Sequence, residues 1–208
     1  MGLPVLILGE SGSGKSTSLR NFDPDEVVIF NVAGKRLPFR KKMNKIADNA
    51  DYKRILKSLA KGSAKTYVID DSQYLMAFEL LAKYKSKGYD KFTDIAVNFK
   101  QLIDYVVRQM PDDIIVYFLH HVETTETNKI KAKTVGKMLD NQLTVEGLFS
   151  IVLYCTVEDG KHVFITQSDG QTTAKSPMEM FDYQIDNDLK AVDTAIRNYY
   201  EMGGTNND

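Results

Sequence analysis

The chain has a single cysteine, Cys155, among its 208 residues. No disulfide can form within it, which suits a reducing compartment. No apolar run approaches the roughly 18 residues that a membrane-spanning helix needs. The N-terminal apolar stretch is too short for the core of a secretion signal and has no basic segment before it. Position 6 is Leu6 rather than Ser or Thr, so the myristoylation pattern fails. There is no excess of charge either: 27 Lys and Arg stand against 28 Asp and Glu, a formal net of −1. Attraction of the whole chain to nucleic acid is thereby excluded, and only local basic patches remain for it. Internal repeats and low-complexity tracts are absent. The expectation is a soluble, cytoplasmic protein that does not engage a membrane. Its 43% hydrophobic and 26% charged residues suit a globular core. Residues 1–202 are read as one domain, and the polar residues 203–208 as a disordered tail.

What is present begins with "VLILGESGSGKST", residues 5–17. Gly9, Gly14, Lys15 and Ser16 meet the spacing G-x-x-x-x-G-K-[ST]. Glycines let successive main-chain N–H groups turn toward one anion. Lys15 adds a point charge for the β- and γ-phosphates, and Ser16 a hydroxyl for Mg²⁺. A chain of this length meets the pattern by chance about once in a hundred. Context argues against chance. Leu3–Leu8 reads as a buried strand, and residues 16–22 as a short helix stopped by Asp23-Pro24. Gly9, Glu10, Ser11, Gly12, Ser13, Gly14, Lys15, Ser16 and Thr17 are therefore expected to bind ATP.

Further strands are predicted over 27–33, 66–69, 114–119, 151–157 and 162–166, and helices over 51–61, 73–86, 92–110 and 187–201. Asp159-Gly160 between the last two strands signals a hairpin. Strands alternating with helices predict an α/β fold. Its sheet would be mostly parallel and flanked by helices, with an antiparallel hairpin at one edge. Ligands in such sheets sit at the carboxyl ends of the strands. Asp70-Asp71 and His120-His121 fall at two of those ends. Asp70 is expected to serve Mg²⁺ together with Ser16. Asp71 has two readings: it orients an attacking water, or it caps the following helix. Side chains alternate along a strand, so one of the two histidines must face the site.

With these residues in hand, the chain resembles the RecA-core family of phage ATP-binding P-loop proteins, whose best-known members are single-strand-annealing recombinases. "GESGSGKS", "YVIDDSQYL" and "FLHHVE" carry the general likeness. "GKMLDNQLTVEGLFSIVLY", "VFITQSDGQTTAKSP" and "IDNDLKAVDTAIRNYY" are the more distinctive stretches. The resemblance implies a RecA-like ATPase that assembles as a ring or filament and acts on single-stranded DNA in recombination, annealing or repair. A single-strand-binding protein is an implied partner, and the host cytoplasm the implied location. It makes His121 the sensor at a strand end. It makes Lys175 the basic residue that reaches the γ-phosphate of a neighbouring subunit. One departure stands out. Such enzymes carry a glutamate after the second strand, where this chain reads "FNVAGKRLPF", so the departure implies that hydrolysis is slow or falls to Asp71.

Two basic patches bear on DNA. Lys35 and Arg36 open the basic stretch 34–45, which reads either as a solvated loop or as a surface for phosphates. Lys129, Lys131, Lys133 and Lys137 dot the loop after the fourth strand. No aromatic residue interrupts 123–147, so binding there would follow the backbone without stacking bases. Two other functions fit a P-loop of this size: a small-molecule or nucleotide kinase, and a nucleotide-dependent adaptor or loader with weak hydrolysis. Kinases commonly bring arginines on a lid. None of Arg20, Arg36, Arg40, Arg54, Arg108 and Arg197 falls in 122–147.

Overall fold

The computed structural model describes residues 1–85, 88, 90–136 and 144–203. The long apolar runs form the middle of one sheet: β1 (Leu3–Gly9), β2 (Val27–Asn31), β4 (Thr66–Asp70), β5 (Ile115–Thr124) and β7 (Ile151–Glu158). Shorter strands complete it: β3 (Ile46–Asp48), β6 (Ile130–Ala132), β8 (Lys161–Ile165) and β9 (Gln184–Asp186). The order across the sheet is β3-β2-β4-β5-β1-β7-β8-β9, with β6 paired to the far end of β5. Every pairing from β3 to β7 is parallel, while β7–β8 and β8–β9 are antiparallel. The architecture is thus the expected one. The hairpin turn places Asp159 (φ 49°) and Gly160 (φ 74°) in the left-handed region, as a tight two-residue turn requires.

Alternation along β1 builds a core on each face. Leu6 and Leu8 join Phe30, Ile55, Phe99 and Phe118 in one cluster. Val5 and Ile7 join Leu19, Phe22, Leu153 and Ile196 in the other. The first is covered by α1 (Tyr52–Leu59), α2 (Gln73–Ala82) and α3 (Asp90–Gln109). The second is covered by a short 3₁₀ helix (Ser16–Asn21) and by α4 (Leu189–Tyr199). Local signals set the ends of these helices. The Asp51 carboxylate accepts from the Arg54 N–H at the start of α1, and Asp188 accepts from Lys190 and Ala191 at the start of α4.

Several boundaries differ from expectation. β5 does not stop at the histidines: it runs to Thr124, because Val122, Glu123 and Thr124 pair with Ala132, Lys131 and Ile130 of β6. β3, β6 and β9 have three residues each, too few for a period of two to show. Pairing at a sheet margin creates them. The helix after the P-loop is 3₁₀ rather than α, and α2 ends at Ala82 instead of 86. Residues 137–143, with Lys137, lie outside the described residues.

Far from the carboxyl ends of the strands, a buried ionic knot fastens α4 to the sheet. Asp193, 4% exposed, accepts from the Thr66 hydroxyl (3.1 Å), the Tyr117 hydroxyl (3.2 Å) and Arg197 Nε (2.7 Å). Arg197 also donates to the Asp113 and Lys65 carbonyls. Removing one member of a buried pair strands its partners. Asp193→Ala is expected to cost about 3 kcal/mol, read from the shift in the urea-unfolding midpoint. A loss below about 1 kcal/mol would show that the knot is not a stability element.

Candidate functional site

The P-loop leaves β1 at Gly9, and its shape leaves no room for side chains at two glycines. A Cβ on Gly9 would lie 2.5 Å from Ser13 Oγ and 2.7 Å from the Cys155 carbonyl oxygen. Gly14 holds φ +105°, and a Cβ there would lie 2.9 Å from the His162 ring. The loop is braced from behind. His162 Nδ1 donates to the Ser13 carbonyl (2.7 Å), and the Cys155 thiol reaches the same oxygen (3.1 Å). Asn187 Nδ2 reaches the Gly14 carbonyl at 3.3 Å, and Arg20 holds the Asn187 carbonyl at 2.6 Å. On the inner side, Lys15 is buried and donates to the Gly9 and Glu10 carbonyls, both at 2.7 Å. Burial draws its ammonium below the usual lysine range, against the opposing charges of Cys155, Asp71 and Asp70.

Strand order brings the distant carboxylates to this loop. β5 lies between β1 and β4, and its register sets His121 beside Gly9. At the end of β4, Asp70 accepts the Ser16 hydroxyl proton at 2.9 Å. Burial and the neighbouring Asp71 push the Asp70 carboxyl up to about 6, despite the hydrogen bond from Ser16. Asp71 has φ +61°, an uncommon conformation for a residue with a side chain. Its two oxygens are divided between His121 Nε2 (3.0 Å) and Lys35 Nζ (2.8 Å). Burial opposes its charge, yet these donors hold the carboxyl down at about 2. The Asp71 side chain is therefore not the cap of α2: Ser72 holds the capping position, without a side-chain bond to the helix.

The two histidines divide as alternation requires. His121 faces the loop. His120 is fully buried on the other face, between the Ser72 hydroxyl (2.9 Å) and the Lys133 carbonyl (2.9 Å). Because a carbonyl only accepts, Nε2 carries the proton and Nδ1 accepts from Ser72. Burial pulls the His120 imidazole down to about 4, so it is neutral near pH 7.

These groups enclose a cavity of about 230 Å³. Ser11, Gly12, Gly14, Lys15, Ser16 and Thr17 form one wall, Asp70, Asp71 and His121 another, and Lys35, Arg36 and Pro38 a third. Lys35 and Arg36, both exposed, thus stand on the cavity wall. A turn through Gly34 (φ +67°) folds the chain back after β2. Asn31 clamps it there, donating to the Lys35 carbonyl (2.5 Å) and accepting from the Lys35 N–H (3.1 Å). The signal that could have found them is the Gly34 turn directly after β2, whose register sets Asn31 beside Asp70. His162 and Asn187 carried no local signal at all.

Other expected residues lie elsewhere. Lys175 pairs its main chain with Val152, whose own partner on β1 is Leu6, three positions short of Gly9; its exposed side chain is not among the cavity residues. Lys129 and Lys133 are exposed near β6. Lys131 between them is engaged by Glu123 at 2.9 Å. For Mg²⁺ the donors fit: a hydroxyl and a carboxylate, already hydrogen-bonded, face a cavity with cationic walls. No cluster of three His, Cys, Asp or Glu suited to a metal exists among the described residues. A hard cation that keeps its waters and a phosphate needs no such cage.

A family model described as an AAA domain matches residues 1–178. The chain belongs to this AAA-domain family. Among solved structures, a KaiC-like protein from the hyperthermophilic archaeon Pyrococcus horikoshii OT3 aligns with 85% of this chain and 84% of that one. Identity is 11% and the TM-score 0.48. No curated protein matches. In this AAA domain the P-loop, the Ser16–Asp70 contact and His121 come together, with Lys35 and Arg36 beside them.

The brace gives a direct test of the loop's rear wall. Cys155 is fully buried, and burial pushes its thiol up to about 11, against hydrogen bonds to Ser13 and Asn187. The native protein is expected to react with a maleimide at pH 7 at less than about a tenth of the rate of the urea-unfolded chain. Equal rates in a thiol-labelling time course would show that the brace opens freely.

Proposed function

We propose that the protein binds ATP with Mg²⁺, hydrolyses it slowly, and uses it as an oligomer on single-stranded DNA. The reading extends to recombination, annealing or repair of the phage RecA-like type, with a single-strand-binding protein as partner. The observation that carries the nucleotide part is the Ser16–Asp70 contact at 2.9 Å inside the Lys15 cavity. It joins the metal-holding hydroxyl of the loop to a carboxylate 54 residues away. Residues 9–17 hold the phosphates through main-chain N–H groups and Lys15, while Ser16 and Asp70 hold the metal. The ion, when bound, neutralises charge between the phosphate oxygens. Asp71, backed by His121, orients the attacking water. Lys175, which is exposed and does not line its own cavity, acts on a neighbouring subunit's γ-phosphate.

DNA binding rests on Lys129 and Lys133, exposed close to the carboxyl end of β5. Arg36 on the cavity wall supports a competing reading, a kinase that steadies the transferred phosphoryl group. One set of assays separates the readings: ATP turnover alone, with single-stranded DNA, and with small phosphate acceptors. Stimulation by DNA is expected. Phosphate transfer to an acceptor would replace the ATPase reading with a kinase, and binding without turnover would favour an adaptor. Lys15→Ala should weaken ATP binding about 10- to 100-fold with an unchanged circular dichroism spectrum. Equal affinity in the folded variant would sink the nucleotide site.

Salt sets a second test. Each phosphate neutralised on a single strand contributes a log–log slope of about −0.7. If Lys129 and Lys133 are the contacts, log K should fall against log [salt] with a slope of about −1.4. The double variant to alanine should flatten that slope, as measured by fluorescence anisotropy. An unchanged slope would place the DNA surface elsewhere.

A further inference from the structure

We propose that Lys35 is the residue that distinguishes a nucleoside triphosphate from a diphosphate, moving from Asp71 to the terminal phosphate when one is present. The inference rests on the nucleotide-binding reading above and assigns it a specificity residue.

Lys35 is built as a fixed base with a movable tip. Its main chain is clamped on both sides by Asn31. Asn31 is itself anchored to the Asp48 carboxylate (2.8 Å), and the Val32 N–H is bonded to the Asp70 carbonyl (3.2 Å). The side chain beyond this clamp is 60% exposed and ends in a flexible, compact ammonium. Its resting contact is an ion pair at 2.8 Å to Asp71 Oδ2, the residue after the metal carboxylate. With one partner so exposed, such a pair holds weakly, and a phosphate can compete for the cation.

Asp71 can release this partner without being left bare. Its side chain is only 11% exposed, so an unpartnered carboxylate would be costly. But His121, 16% exposed and set in β5, keeps its bond to Oδ1 at 3.0 Å. One donor is held by the sheet and the other is free to leave. Tyr74 supports both, with Lys35 Nζ 5.1 Å from its ring centre and His121 edge-on at 5.7 Å.

The two lysines divide the cavity. Lys15 rests on carbonyls within the P-loop, at the wall that every phosphorylated nucleotide would meet. Lys35 rests on the carboxylate wall, beside the Ser16–Asp70 pair proposed to hold the metal. The lining cations Lys15, Lys35 and Arg36 exceed the carboxylates Asp70 and Asp71 by one charge (3 − 2 = +1).

The test compares Mg²⁺ complexes of a non-hydrolysable ATP analogue and of ADP by calorimetry on the full chain. Lys35→Met keeps the aliphatic stem and removes the charge. It should weaken analogue binding about tenfold while ADP affinity changes less than about twofold. Lys35→Arg should restore most of the loss. A loss shared equally by both ligands, or none for either, would overturn the assignment. If the wild-type protein binds both ligands and the discrimination survives in Lys35→Met, only this inference falls. If the wild-type protein binds neither, the nucleotide reading falls and takes this inference with it.

Discussion

The register of β5 between β1 and β4 governs everything at the carboxyl end of the sheet. β5 sets His121 against Gly9 on one side and runs beside β4 on the other, so it fixes how far the P-loop stands from Asp70 and Asp71. A slip of one residue would exchange the two faces. His120 would then present to the loop, and His121 would enter the packed space between Ser72 and Phe99. The register is held because β5 is buried from Ile115 to His120, with Tyr117 on one core and Phe118 on the other. Apolar packing far below the site thus decides which imidazole reaches Asp71.

The site itself is a set of charges, each already satisfied by a neighbour. Lys15 rests on two carbonyls, Asp70 on Ser16, and Asp71 on His121 and Lys35. Buried polar groups must be paired, and here the protein's own groups pair with one another. A nucleotide would enter by exchanging partners rather than by filling bare donors.

The fold was largely legible in the sequence because its central strands are continuous apolar runs and its glycines punctuate them. The P-loop, Asp70 and the facing histidine were legible for the same reason: each lies where an apolar run stops. What escaped was whatever depended on pairing at a margin or on chain reversal. Three-residue strands show no period. Lys35 looked like part of a basic surface because a lysine in a basic stretch gives no sign that a clamp of Asn31 sets it beside Asp71. The stretch after β2 lacks the glutamate that the resemblance implied there. Only the coordinates place an asparagine clamp and a cation in that stretch, so the local charge differs in sign. His162 and Asn187, bracing the loop from β8 and from the turn before α4, had no signature of their own.

That brace has a consequence for how the protein comes into being. Asn187 supports Gly14 across 173 positions of sequence. During synthesis this loop is made 173 residues before Asn187, its rear support. At about 5–20 residues per second, roughly 9–35 s separate the two. Over that interval the glycine-rich segment has its own turns but only part of its back wall, from Cys155 and His162 once they are made. The family match ends at residue 178, before Asn187 and α4. Contacts of such long range are slow to close and come late in folding. The fully braced shape of the loop therefore waits on the segment around Asn187, although its motif is made long before.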